Sequence, residues 1–353
     1  LDGGRISATG AESRQTRVIA ASAETESSFE MEKRAMFDQA RSYLANNFFD
    51  ARMNGVAWDD LAARVSPYVE GSRNPDDLRR VLSLMIGELN ASHLGISGPS
   101  TGGVTVPLAR MGVRFDRRLL EREGRYRIAE LIAQGPAQVA GVAVGDEIVA
   151  VDGTPLARGV VLDSLLMGKP GRRLQLSLRA TPSAAVREVG LQPVTLGAEK
   201  GLLYRQWVEE RRAYVAKASG GRLGYVHMFD MGQPSLDQLY LDLDAENQAR
   251  EGVVIDVRNN NGGFVNAYAI DVFSRRSYLQ FTPRGSVAAP ARASLGQRTI
   301  ERPTVLVVNQ HTLSDGEDFT EGYRSLGLGK VVGEPTAGWI IFTSNVPLLD
   351  GPT

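Results

Sequence analysis

Cysteine is absent from the 353 residues. That excludes disulfides, thiol catalysis and thiolate-ligated metal, and leaves the compartment undetermined. Histidine is nearly absent: His93, His227 and His311 are the complete set. Any imidazole chemistry must use one of them, and their scatter offers no metal-ligand spacing. No apolar run reaches the about 18 residues that a membrane-spanning helix needs. Neither sign of charge is in excess, with 40 Lys and Arg against 41 Asp and Glu and a net charge of −1. No basic face follows from that balance, so nucleic acid is not an expected partner. The opening LDGGRISATGAESRQTR lacks a charged segment followed by an apolar core, which excludes a signal peptide there. It also lacks an initiator Met, as expected of a piece of a longer chain. Fixed-period repeats and low-complexity tracts are missing too.

What is present is an ordinary globular composition, 42% hydrophobic and 23% charged, at a length that suggests two or three domains. Residues 1–27, rich in Ser, Ala, Gly and Thr, read as a loosely structured lead-in with one short strand at TRVIAA. Over 28–98 the apolar spacing turns helical: Met36, Phe37, Ala40, Tyr43, Leu44 and Phe48 recur at three and four residues. Pro75, Asp76 and Asp77 suit a helix start, with acids at the positive dipole end. The linker ISGPSTGGV follows. Strand-like pieces dominate 104–197: GVRFD, YRIAELI, IVAVDG and RLQLSLRA, with a helix near VLDSLLMG. From 201 to 353, short apolar runs (GRLGYVHMFD, GVVIDVRNN, PTVLVVNQ) alternate with helix-like segments (SLDQLYLDLDAENQA, VNAYAIDVFSRR, SDGEDFTEGYRSLG). Buried strands alternating with helices indicate an α/β layered domain. The fold class expected is multidomain α/β: a small helical domain, a β-rich domain and an α/β layer.

Ligands of open α/β sheets sit beyond the carboxyl ends of the strands. Ser314 falls a few residues past the strand TVLVVN, where a helix begins. Free N–H groups and partial positive charge there suit an oxyanion. Ser-Asp-Gly-Glu is equally the pattern of an N-cap with a capping box, and the local sequence leaves both readings open. The stretch IDVRNNNGGFVN repeats the strand-turn-helix arrangement, with glycines that let backbone N–H groups approach a ligand; a plain left-handed turn fits as well. A serine becomes a nucleophile only with a base in reach. His93, in GELNASHLG, and His311, three residues before Ser314, are both candidates. His227, inside the strand YVHMF, reads as a packed histidine. DVRNNN is not a calcium-loop pattern, and no metal site is expected.

Taken together, ELNASH, DVRNNNGG, SDGEDF and GLGKVVGEPTAG resemble the catalytic core of tricorn proteases, relatives of the C-terminal processing serine peptidases. NNFFDARMNGVAW resembles the tricorn helical domain, and GPAQVAGVAVGDEIVAVDGTPL the second half of a PDZ domain. The order of these segments is the family's: helical domain, PDZ-like domain, then a protease domain with a crotonase-like α/β layer. The resemblance implies a serine acyl-enzyme with Ser314 as nucleophile, His93 as general base and Ser92 orienting the imidazole. It also implies an oxyanion hole from the backbone N–H groups of Gly262 and Asp315. The processing peptidases use lysine after the serine. PTAGWI has Trp339 at that place, which favours the histidine arrangement, and Lys169 and Lys330 do not fit the pattern. The downstream glutamate of the tricorn tetrad is not among these residues; Glu317, Glu321 and Glu334 are too near the serine. In the PDZ-like segment, Arg114 stands where a carboxylate-binding loop more often has glycine.

The resemblance therefore implies a serine peptidase acting on peptides or unfolded polypeptides, without cofactor, nucleic acid or membrane span, and assembling as a homo-oligomer. It implies a cytoplasmic location, with the periplasm or secretion as the alternative if a leader precedes the chain. The competing function is a non-catalytic peptide- or ligand-binding module on the same fold. A crotonase-like acyl-CoA enzyme shares the layered fold but gives no reason for the PDZ-like insert or for ASH.

Overall fold

The computed structural model describes residues 6–9, 14, 16–19, 28–98, 106–157, 159–247, 250–276, 278–290, 300 and 302–351. Much of the lead-in, and the linker from Pro99 to Val104, lie outside them. The chain forms two compact units. One comprises Leu1–Gly102 with Ile341–Thr353; the other is Gly103–Ile340.

The first unit opens with an antiparallel pair, β1 (Ile6–Thr9) and β2 (Thr16–Ile19), in the register Thr9 to Thr16. The sequence suggested only the second strand, because the four residues of ISAT are too short a run to stand out in a segment rich in Ser, Ala, Gly and Thr. Three helices follow: α1 (Phe29–Asn47), α2 (Trp58–Gly71) and α3 (Pro75–Gly87). Asn74 caps α3, its Oδ1 accepting from Asp77 N at 2.9 Å. Pro75 follows at N1, where its missing N–H costs nothing. The three helices bury one stripe each, and Met36, Phe37, Trp58, Leu61, Leu78, Leu82, Met85 and Leu89 form their common core. Residues 341–353 belong to this unit: Leu348 packs on that core, Asp350 pairs with Arg79, and Ser344 Oγ meets Tyr43 Oη at 3.1 Å.

Among the described residues the second unit contains two larger sheets and one two-stranded pair. The first comprises β3 (Val113–Phe115), β4 (Tyr126–Leu131), β5 (Glu147–Val151), β6 (Thr154–Pro155), β7 (Leu174–Arg179) and β8 (Arg187–Leu191). These strands pair antiparallel in the order β3-β4-β5-β7-β8, with β6 added to β5. In β7, Leu174, Leu176 and Leu178 are all buried, the period of two that puts one strand face inward. Short helices α4 (Arg117–Glu123), α5 (Pro136–Val139) and α6 (Leu162–Leu166) accompany the sheet.

Helix α7 (Leu196–Ala218) leads out of this sheet. Sequence reading did not identify it, for a physical reason: its apolar residues are spread around the helix, and only Glu199 and Val208 are buried. Glu199 reaches back to the loop before β3. Its Oε2 accepts from Gly112 N at 3.2 Å and its Oε1 from Arg114 Nη1 at 3.2 Å.

The second sheet is parallel. It comprises β9 (Leu223–His227), β10 (Gly252–Asp256), β13 (Thr304–Val308) and β14 (Gly329–Gly333), in the order β14-β13-β10-β9. Helices α8 (Gln233–Asn247), α9 (Asn266–Ser274) and α10 (Asp315–Ser325) connect or follow its strands. Two-residue strands β11 (Gln280–Phe281) and β12 (Ala289–Pro290) pair separately. The core runs through Val226, Ile255, Leu306, Ala269, Phe273, Phe319 and Tyr323. Parallel pairing lines up the carboxyl ends of β9, β10 and β13, so the loops that follow them lie side by side.

Candidate active site

The turn after β10 is anchored from below. Asp256 is fully buried. Its carboxylate accepts from Tyr225 Oη at 2.8 Å, from Arg258 N at 2.9 Å and from Arg258 Nη2 at 2.6 Å. The guanidinium also lies 5.7 Å from the Trp207 ring centroid. Asp256 holds the Arg258 guanidinium above its usual range. Burial, and then Asp256, push the Tyr225 phenol up. Arg258 thus ties the turn to the strand end. Its carbonyl is held in addition by His227 Nε2 at 3.0 Å, while Tyr204 Oη lies 2.8 Å from His227 Nδ1. The neutral ring with hydrogen on Nε2 satisfies both partners.

Burial depresses the His227 pKa, the Arg258 carbonyl opposing it in part. The unfolded chain therefore binds a proton at His227 that the folded chain refuses. This contribution is complete above the unfolded value of 6.5 and is lost as pH falls from there through the folded pKa. We expect the unfolding free energy of the wild type, measured by denaturant titration, to drop between pH 7.5 and 5.5 by up to about 1.4 kcal/mol per pH unit over the window. His227→Gln should show a visibly flatter profile; equal slopes would exclude this origin.

Asn260 joins the three loops. It is fully buried. Its Nδ2 donates to Met228 O at 2.9 Å, its Oδ1 accepts from Gly262 N at 2.9 Å, and its carbonyl accepts from Leu313 N at 2.8 Å. Thr312, also buried, donates its hydroxyl to Val257 O at 2.8 Å. Asn259 and Asn309 exchange hydrogen bonds at 3.0 and 3.1 Å. Turn and elbow are therefore cross-linked by side chains that sit two to five places before Gly262 and Ser314.

Ser314 caps α10 with φ 50° and ψ −124°. An ordinary N-cap is extended, as Ser28, Asn74 and Thr195 are here. The cap reading of the sequence therefore holds in position but not in conformation. A non-glycine residue at such angles costs on the order of 1–3 kcal/mol and persists only where its surroundings over-determine it. They do so here. Glu317 Oε2 accepts from Ser314 N at 2.9 Å. Asp315, buried, accepts from Asn266 N at 3.0 Å and from Asn266 Nδ2, tying the start of α10 to α9. Gly262, at φ +82°, is packed so closely that a Cβ there would lie 2.7 Å from Ser314 Cβ and 3.0 Å from Asp315 N. The structure thus brings Ser314, Asp315 and Gly262 together, and it engages the Gly262 N–H with Asn260. Burial, then the charges of Asp315 and Glu317, push the Asp318 carboxyl up.

Ser92 and His93 belong to the first unit. His93 Nδ1 lies 3.3 Å from Ser92 Oγ, and His93 has φ 61°. His93 is exposed and lines a cavity of about 420 Å³ with Tyr43, Leu44, Leu82, Ile86 and Leu94. His311 is exposed on the elbow, with its N–H on Asn309 Oδ1. Lys169 is paired with Asp152 at 2.6 Å. Among the described residues no group of three His, Asp or Glu side chains is placed to hold a metal ion, and no helix is long and apolar enough to cross a membrane. Sequence reasoning missed Asn260, Thr312, Asn309 and Asn266. Polar residues flanking glycine turns at strand ends were the only signal, and that signal is common in loops.

A serine held at a strained elbow beside a glycine turn, both at the carboxyl edge of a parallel sheet, defines the hydrolase type of site. Comparison with known proteins agrees. Residues 222–353 match Peptidase family S41, 29–87 the Tricorn protease C1 domain and 127–179 a PDZ domain. The chain is 34% identical over 331 residues to Tricorn protease homolog 1 of Streptomyces coelicolor, covering 91% of this chain and 30% of that protein. To the tricorn protease of Thermoplasma volcanium it is 26% identical over 328 residues, covering 90% and 31%. A solved structure titled crystal structure of the tricorn protease superposes with a TM-score of 0.76 at 24% identity, covering 99% of this chain and 34% of that one. Its residues 222–353 thus match family S41, the chain as a whole is similar to tricorn proteases, and it spans about a third of the length of these relatives.

Proposed function

We propose that the chain hydrolyses peptide bonds through an acyl-enzyme on Ser314. The observation that carries this reading is the strained elbow of Ser314, overlaid by the Gly262 turn. Strain at an exposed strand-to-helix join is what presents a nucleophile and an oxyanion site together. In this reading His93 takes the Ser314 proton at Nε2 and returns it to the leaving amine, while Ser92 holds Nδ1. The Asp315 N–H, at the first position of α10, receives the oxyanion. Gly262 N–H is the second donor and must be shared with Asn260 Oδ1, or turn from it. Substrates are peptides or unfolded polypeptides, and the working form is a homo-oligomer, as the tricorn likeness supports. The corresponding domains are 28–98, 104–197 and 201–353, after a lead-in of 1–27.

A fluorophosphonate probe with peptide mapping tests this. We expect one label per chain at Ser314 at neutral pH, slowed at least 100-fold in His93→Ala. A folded wild type that does not label would favour the non-catalytic binding module.

A further inference from the structure

A capping box asks little of its glutamate: one bond back to the N-cap N–H. Glu317 does more. Its Oε2 accepts from Ser314 N at 2.9 Å and from Trp339 N at 2.7 Å, and its Oε1 accepts from Gly338 N at 2.6 Å. The last two donors lie 22 and 21 residues further along the chain. The carboxylate is 2% exposed, and among the described residues no lysine or arginine pairs with it. Three backbone N–H groups and the N-terminal end of α10 compensate the charge instead. A buried anion without a cation is costly unless its hydrogen bonds are complete, and here both oxygens are used. A purely helix-capping role explains neither Gly338 nor Trp339.

The segment Glu317 holds also touches the elbow elsewhere: Ala337 N donates to Thr312 O at 3.3 Å. Residues 337–339 therefore run along 312–314, fastened by one backbone bond and one shared carboxylate. We propose that Glu317 is the positioning residue of the nucleophile. It fixes the 313–314 peptide plane in its strained orientation and, with the same carboxylate, docks residues 338–339 against the elbow. This rests on the acyl-enzyme reading above. Without that carboxylate the acceptor for Ser314 N is gone, and only the Asp315–Asn266 bonds and the Gly262 contact oppose relaxation of Ser314 to the extended conformation of an ordinary N-cap. Such relaxation would swing Cβ and Oγ to another direction while leaving the rest of the sheet in place.

The consequence is specific. Loss of Glu317 should slow attack by Ser314 more than it weakens substrate binding. In Glu317→Gln one acceptor oxygen becomes an NH2 that faces backbone N–H groups. We expect kcat to fall roughly 30- to 300-fold with KM within about threefold. The fluorophosphonate rate constant should fall in step, while the final stoichiometry stays near one label per chain. A merely structural role would instead lower the stoichiometry through a misfolded fraction and leave the rate of the labelled fraction unchanged. Glu317→Asp, which keeps the charge on a shorter arm, should recover part of the rate. If Glu317→Gln proves insoluble, Glu317→Asp carries the test, with a labelling rate below wild type expected. Wild-type labelling rates in both folded variants would overturn the inference while the peptidase reading stands. Absence of labelling in the wild type would overturn both.

Discussion

Ser314→Ala is expected to lower kcat for a peptide substrate by roughly 10⁴- to 10⁶-fold, leaving only what the oxyanion site and binding supply. The fold should not notice. Ser314 is half-buried, and the hydroxyl is lost without opening a cavity in the core, so stability should change by less than about 1 kcal/mol. Alanine keeps the same burden at φ 50°. Ser314→Gly removes it, and should be more stable than the alanine variant by about 1 kcal/mol while equally inactive. Steady-state kinetics with thermal unfolding of the three proteins would check this. Retention of more than a few per cent of activity in Ser314→Ala would place the nucleophile elsewhere. A glycine variant no more stable than alanine would mean that the elbow is not strained.

The second large effect is expected at Gly262. A methyl group there would meet Ser314 Cβ at 2.7 Å, Leu313 O at 2.9 Å and Asp315 N at 3.0 Å. None of these is the far end of a flexible side chain, so the turn or the elbow must move. Gly262→Ala should cost about 2–5 kcal/mol, combining overpacking with left-handed strain. It should also reduce kcat/KM at least 100-fold, since displacement of a nucleophile by about an ångström is enough for that. Gly55 is the control. It has the same φ of +82° with nothing within 4 Å of its built Cβ. Gly55→Ala carries only the strain, about 1–2 kcal/mol, and should leave the activity of the folded protein intact. Equal losses in the two variants would show that backbone strain alone, and not contact with the elbow, governs the site.

The contrast between what could and could not be read from residues follows the range of the interactions. Period-two and period-3.6 patterns are local, so β7, β10, β13 and α3 were legible. Gly262 and Ser314 were legible as well, because a glycine turn and a serine at a strand-to-helix join leave marks within a few residues. Helix α7 was not, since its partly polar surroundings dilute the stripe that would reveal it. Asn260 and Glu317 were illegible as site residues for a different cause. Their roles depend on Met228, Leu313, Gly338 and Trp339, and a side chain's long-range partners are not written beside it. A capping-box glutamate looks the same whether it binds one N–H or three.

Arg79 and Asp350, paired in the first unit, are 271 residues apart in the chain. Helices α1 to α3 leave the ribosome before Ser344, Leu348 and Asp350, which belong to the same unit, and all of Gly103–Ile340 is made in between. The first unit must therefore wait, with part of its apolar surface uncovered, until residues 344–350 have been made. Closing a loose loop of that size carries a substantial entropic cost, and contacts of such separation slow folding. If the second unit folds in the interval, its two ends become fixed points and the loop is no longer loose. The order of synthesis then favours a sequence of events in which the parallel sheet is finished before helices α1 to α3 are sealed.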